Sequence, residues 1–206
     1  MHIWDQIPLH ERRDLLVAWL ALSAAFTLAM VWGQRINPII IGQFFLISLV
    51  TAGIAFIVHE MAHKFTAMKY GYWAEFQMNS MMLVVAVAMA ALAGIVFAAP
   101  GATVIYGTSI SREENGKISL AGPMSNLLLL IPFAALISIG SAAGLGILAV
   151  IGLVGVKINA MIAAFNLLPV GPLDGAKILS WNPLIFGSVA AVAFGILFAS
   201  LSGIFS

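Results

Sequence analysis

Residues 39–68 read IIIGQFFLISLVTAGIAFIVHEMAHKFTAM. No charged side chain occurs from Ile39 to Val58, which is long enough to cross the ~30 Å apolar core of a bilayer as a helix. His59-Glu60-Met61-Ala62-His63 then follows in the same run. On a helix, positions i and i+4 share a face. His59 and His63 can therefore offer two imidazole nitrogens to one Zn²⁺, with Glu60 beside them to take a proton from an attacking water. The alternative is a histidine pair satisfied inside a helix bundle. Ionisable groups within a span are costly and mark function by default, which favours the metal reading.

The rest of the chain agrees with a membrane setting. Of 206 residues, 62% are hydrophobic and only 8% charged, with a mean hydropathy of +1.08. Soluble domains are about half apolar and about a quarter charged. The net charge is +1 and no basic block is present, so a nucleic-acid partner is excluded. With no cysteine, disulfides, thiolate metal sites and cysteine nucleophiles are excluded too. The polar segment Met1–Asp14 lacks the features of a cleavable signal peptide, so the first apolar run is expected to stay as an anchor. The expected fold is an all-α polytopic membrane protein, one membrane domain over residues 1–206. Spans are expected at about 15–33, 39–68, 120–140, 145–168 and 181–204. A further apolar stretch lies at 78–99. Thr103–Ile110, rich in β-branched and aromatic residues, and the polar turn at 111–116 are read as a β-hairpin over about 103–120.

Catalytic zinc takes three protein ligands and leaves a fourth position open. His2 and His10 lie in the polar N-terminal segment, as do Asp5 and Asp14, and Glu75, Glu113 and Glu114 fall in polar connections. Asp174 differs. It sits in Asn166-Leu-Leu-Pro-Val-Gly-Pro-Leu-Asp174-Gly175, directly after an apolar run. Prolines and glycines break the helix there, and irregular backbone is tolerated at membrane depth where it lines a polar cavity. An Asp before Gly is also a common turn residue, so third ligand and turn residue both stay open on this ground.

His-Glu-x-x-His on one span and Asn-x-x-Pro-x-x-x-x-Asp-Gly on a later one resemble the site-2 protease family of intramembrane zinc metalloproteases. Ser119-Leu-Ala-Gly-Pro-Met-Ser-Asn126 is similar to that family's Gly-Pro-containing span start. The resemblance runs from the second span to about Lys177. It implies that His59, His63 and Asp174 bind one Zn²⁺ and that Glu60 is the general base. Asn166 would stabilise the substrate carbonyl, and Asn126, Gly122 and Pro123 would bind substrate. The implied partner is a transmembrane protein, cut within the membrane after its helix unwinds. Two departures stand out. Ala62 replaces the usual Gly before the second His, and no PDZ or CBS module is present.

Topology can be argued from parity. The second span returns the chain to the side of its N-terminus, and Asp174 must reach that side to share an ion with His59 and His63. That requires 78–99 to dip in and return rather than cross. The positive charges agree. With a full crossing, Arg12, Arg13, Lys64 and Lys69 face Arg35, Arg112, Lys117 and Lys177; with a re-entrant stretch, only Arg35 remains opposite the other seven. The positive-inside rule then predicts five spans with a re-entrant element at 78–99, the N-terminus and zinc site toward the cytosol and the C-terminus outside; the lack of soluble modules points to a prokaryotic cell membrane. Six full spans are the alternative. An exposed strand edge in the 103–120 hairpin could pair with unwound substrate. Lys157, in mid-span, has no evident acidic partner. Two other functions use the same residues: an inactive relative that binds membrane proteins, and a metal transporter.

Overall fold

The computed structural model describes residues 6–96, 100–107 and 109–202. His2, Asp5, the 97–99 end of the expected re-entrant stretch, Thr108 and the last residues of the expected final span lie outside them. In chain order the elements are α1 (Leu9–Val31), α2 (Pro38–Ser48), a π-helical turn (Leu49–Gly53), α3 (Ile54–Lys69), β1 (Trp73–Met78), α4 (Ser80–Ala93), β2 (Gly101–Tyr106), α5 (Arg112–Ala142), α6 (Gly146–Asn166), α7 (Asp174–Trp181) and α8 (Pro183–Leu201). Five helical segments among the described residues are long and apolar enough to span: α1, the rod Pro38–Lys69, α5, α6 and α8. The protein is a multi-pass membrane protein. α8 packs one face, with Ile185, Phe186, Val189, Phe194 and Leu197 around the buried Ala193, against the cluster of Ala163, Leu167 and Ile178, and leaves Leu184, Val192, Phe198 and Leu201 exposed on the other, as a lipid-contacting helix at the edge of a bundle requires.

Local chemistry starts these helices. Asn37 accepts a hydrogen bond from the Ile39 amide (2.9 Å) with Pro38 as the first helical residue. Asn182 does the same for Leu184 and Ile185 ahead of Pro183. Both follow the preference for Asn caps and for Pro in the first turn. The rod 38–69 is not one uniform helix. Trp19 of α1 donates to the Leu49 carbonyl (2.9 Å) where the π turn begins. A Cβ built on Gly53 would fall 1.8 Å from the Trp19 ring, so only glycine admits that indole.

β1 and β2 pair antiparallel, Trp73 opposite Tyr106 through Met78 opposite Gly101. This corrects the expected hairpin. The strand near 103 exists, but its partner is 73–78. The segment 111–120 is the start of α5, because Ser111 and Glu114 form a reciprocal capping box that turns the polar stretch into a helix N-terminus. The pairing also brings the two ends of the 79–100 stretch together. Met78 and Gly101 are register partners, and the Asn79 amide donates to the Pro100 carbonyl at 2.9 Å. The chain therefore returns to the point it left. The 14-residue α4, about 21 Å long at 1.5 Å per residue, lies inside this excursion against α1. Leu83 of α4 joins Leu15, Leu22, Phe56 and Phe76 in one apolar cluster.

The N-terminal segment is less polar in its surroundings than its composition suggests. Glu11 is fully buried, paired with the fully buried Lys64 of α3 at 2.5 Å. The other Glu11 carboxylate oxygen accepts from the Phe76 amide at 2.9 Å. Lys64 also lies 5.3 Å from the Trp73 ring centroid. Lys157 is exposed on α6.

Candidate metal centre

α3 places His59 and His63 one turn apart, and α7 delivers Asp174 in its first turn. α7 can sit this close to the end of α6 because Gly175 has no side chain: a Cβ there would lie 2.3 Å from the Leu167 carbonyl oxygen. The three donor atoms converge. The two Nε2 atoms are 3.1 Å apart, and Asp174 Oδ2 lies 3.4 Å from that of His59 and 3.1 Å from that of His63. Zinc–nitrogen and zinc–oxygen bonds of about 2.0–2.1 Å in tetrahedral geometry give a ligand–ligand edge of roughly 3.3 Å, so the observed triangle has the size of one zinc face. All three residues are buried. Burial by itself would raise the Asp174 carboxyl pKa; His63 and His59 more than reverse this and hold it below the usual carboxylate range. The group therefore presents an anion.

The outer contacts fit a metal as well. His59 Nδ1 lies 2.7 Å from Asn126 Oδ1, and His63 Nδ1 lies 2.8 Å from the Ile118 carbonyl oxygen. Each bond places a proton on Nδ1 and turns Nε2 toward the centre, the orientation metal-bound histidines need. Asn126 is held in turn: its amide donates to the Ala55 carbonyl (3.0 Å) and to Asn159 Oδ1 (3.1 Å). Gly122 supplies the remaining space. A Cβ there would sit 2.3 Å from His63 Nε2 and 2.6 Å from His59 Nε2, in the volume that an ion would occupy.

Glu60 points to β2. Its Oε2 accepts from the Thr103 amide and the Thr103 hydroxyl, both at 2.9 Å, and the same hydroxyl lies 3.1 Å from the Glu60 carbonyl oxygen. A cavity of about 320 Å³ adjoins the centre, lined by His59, Glu60, His63 and Asp174 together with Asn166, Pro100 and residues 101–103 of β2.

The structure thus brings His59, Glu60, His63, Asp174 and Asn166 around one cavity. Asn166 is half-buried, and its amide donates back to the Ile162 carbonyl at 3.0 Å. The residues expected to bind substrate are placed differently. Asn126 is fully buried and bonded to His59, and Pro123 is fully buried inside α5. Neither presents a surface to a second molecule: Asn126 is bonded to His59 and Ala55 of α3 and to Asn159 of α6. Gly122 faces the histidines. Thr103, Asn159 and the Ile118 carbonyl were not singled out in the sequence. Only Asn159, a polar side chain in mid-span, carried a local signal.

Over 151 residues this chain is 42% identical to the curated Methanocaldococcus jannaschii protein named "Putative zinc metalloprotease MJ0611". The match covers 73% of this chain and 78% of that protein. The chain belongs to this zinc metalloprotease family. Its cofactor is zinc, and the His59, His63 and Asp174 group can hold one ion. No family model matches the chain, and no solved structure does.

Proposed function

We propose that this zinc metalloprotease is an intramembrane endopeptidase of the site-2 type, cutting transmembrane segments of membrane-protein substrates. The observation that supports this most is where the centre is built: two ligands and the base lie on a spanning rod, and the third follows another span. A metalloprotease centre so placed meets a peptide bond that comes from the bilayer. Bound there, zinc would act as a Lewis acid on the scissile carbonyl and acidify water. Glu60 takes the proton from the attacking water and returns it to the leaving amine. Asn166, on the cavity wall, orients the scissile carbonyl and donates to its developing oxyanion.

A peptide bond inside a helix is shielded, so substrate must be extended when it is cut. β2 supports this step. The outer edge of β1 is closed by α1, with Glu11 taking the Phe76 amide and Asp14 taking the Met78 amide. The outer edge of β2 borders the cavity, and an unwound segment would add there as a strand. With 78–99 returning to its origin, the charge distribution favours the N-terminus and the metal centre on the cytosolic side, with Arg12, Arg13, Lys69, Arg112, Lys117 and Lys177 opposite Arg35. The archaeal relative supports a prokaryotic cell membrane.

The deciding experiment compares wild type with Glu60→Gln in liposomes holding a set of single-span substrates. Site-specific cleavage within the span by wild type, with zinc retained and cleavage lost in the variant, is expected. Cleavage confined to soluble peptides would defeat the intramembrane assignment. Zinc flux across the liposomes that persists in Glu60→Gln would favour a transporter.

A further inference from the structure

The Thr103 amide lies on a strand edge and is already engaged by Glu60. In an antiparallel pair, opposite residues alternate between hydrogen-bonded and non-hydrogen-bonded pairs. Phe76 and Thr103 are opposite one another. The Phe76 amide goes to Glu11 and the Thr103 amide to Glu60, so this pair is of the non-bonded kind. Gly101, Thr103 and Ile105 therefore turn their backbone groups to the outer edge of β2, the edge that borders the cavity. A strand adding to that edge needs the Thr103 amide. At present the Glu60 carboxylate holds it, reinforced by the Thr103 hydroxyl.

We propose that Thr103 is a positioning residue that makes the base substrate-gated. Without substrate, Glu60 is tied to β2 by two donors on one oxygen. When an extended substrate pairs with β2, its carbonyl takes the Thr103 amide and Glu60 is released toward the water it must deprotonate. No covalent change is involved; one acceptor replaces another on the same N–H. The proposal deepens the endopeptidase reading and rests on it. It supplies a reason why a buried protease base can stand beside water without hydrolysing whatever short peptide enters.

The first test needs binding and no cleavage. Amide exchange at Thr103 is followed in detergent-solubilised protein, with Ala102 and Val104, whose amides face β1, as controls. In wild type the Thr103 amide is protected. In Glu60→Ala it exchanges at least about tenfold faster, as expected on loss of a hydrogen bond to a charged acceptor, and a bound transmembrane peptide restores protection. Fast exchange in wild type, or a peptide that binds Glu60→Ala and leaves the amide fast, overturns the proposal. The second test uses kinetics. Thr103→Val raises kcat at least about tenfold on a tripeptide too short to reach β2, the equivalent of one hydrogen bond to a charged acceptor. It leaves kcat on a full transmembrane substrate within about twofold, and Thr103→Ser behaves as wild type. An equal loss of kcat on both substrates overturns the gating and leaves Thr103 a fixed support for Glu60. If wild type cuts neither substrate, the endopeptidase reading fails, while the exchange test still decides whether β2 trades Glu60 for a strand.

Discussion

Replacing Gly122 by Ala would add one methyl group to a helix and is expected to empty the metal centre. The added carbon would lie 2.3 Å from His63 Nε2 and 2.6 Å from His59 Nε2. Non-bonded heavy atoms settle at about 3.5 Å or more, so each imidazole must retreat by about 1 Å. Metal–ligand distances tolerate only about 0.2 Å. The histidines also cannot retreat freely, because Asn126 and the Ile118 carbonyl hold their other nitrogens. Zinc affinity should fall by more than about 100-fold, beyond what changes to outer-shell partners cost. Helix propensity runs the other way, since Ala is better than Gly in a helix interior by up to about 1 kcal/mol. The expected result is thus a folded, fully helical protein without its ion. Zinc per chain by mass spectrometry, resistance to chelators and circular dichroism together read it out. A Gly122→Ala protein that keeps one zinc with undiminished chelator resistance would show that the two Nε2 atoms do not face a common ion.

Asp174→Ala should leave only two ligands, and zinc per chain should drop well below one; an unchanged content would return Asp174 to the role of a turn residue. Asn126→Leu removes the acceptor that fixes the His59 ring and should weaken zinc binding about 10- to 100-fold, measured by competition with a chelator. Glu11→Ala leaves Lys64 buried without its counter-ion and should destabilise the protein by about 3–5 kcal/mol, seen as an earlier unfolding transition in denaturing detergent. Converting both members of that pair to apolar residues should recover much of the loss, because the lone charge rather than the missing contact carries the cost.

What could be read from the chain was chemistry carried by residue type and short spacing. His59 and His63 are four apart on an apolar run, and Asp174 follows an apolar run in a broken loop, so each is visible locally. That the chain returns to its start over 79–100 followed from the need to bring these motifs to one side, and the β1–β2 register shows the return directly. The partner of β2 was not visible in the same way. Trp73-Ala-Glu-Phe-Gln-Met78 does alternate, with Ala74 and Phe76 buried, but six residues beside a long apolar stretch are read as its edge. Ser111-x-x-Glu114 is a capping box as well as a polar turn, and only the helix behind it decides between them. Asn126 was assigned to substrate because the residues alone do not show that α3, α5 and α6 seal it against His59. Thr103, Glu11 and Lys64 act through partners 43 to 65 residues away, a range over which no local pattern carries information.

The Glu11–Lys64 pair has a consequence for the order of assembly. Its members are 53 residues apart, on the first helix and on the helix that carries the two histidine ligands. Until α3 has been made, Glu11 has no counter-ion, and until α1 is seated, neither has Lys64. An unpaired charge in an apolar interior costs several kcal/mol, so neither helix can take its final place alone. Lys64 is thus first a free cation at the end of a nascent span and only later an interior ion. Because His63 is its chain neighbour, seating the N-terminus anchors α3 right beside the metal half-site, while Asn126 and the Ile118 carbonyl of α5 hold the two imidazoles.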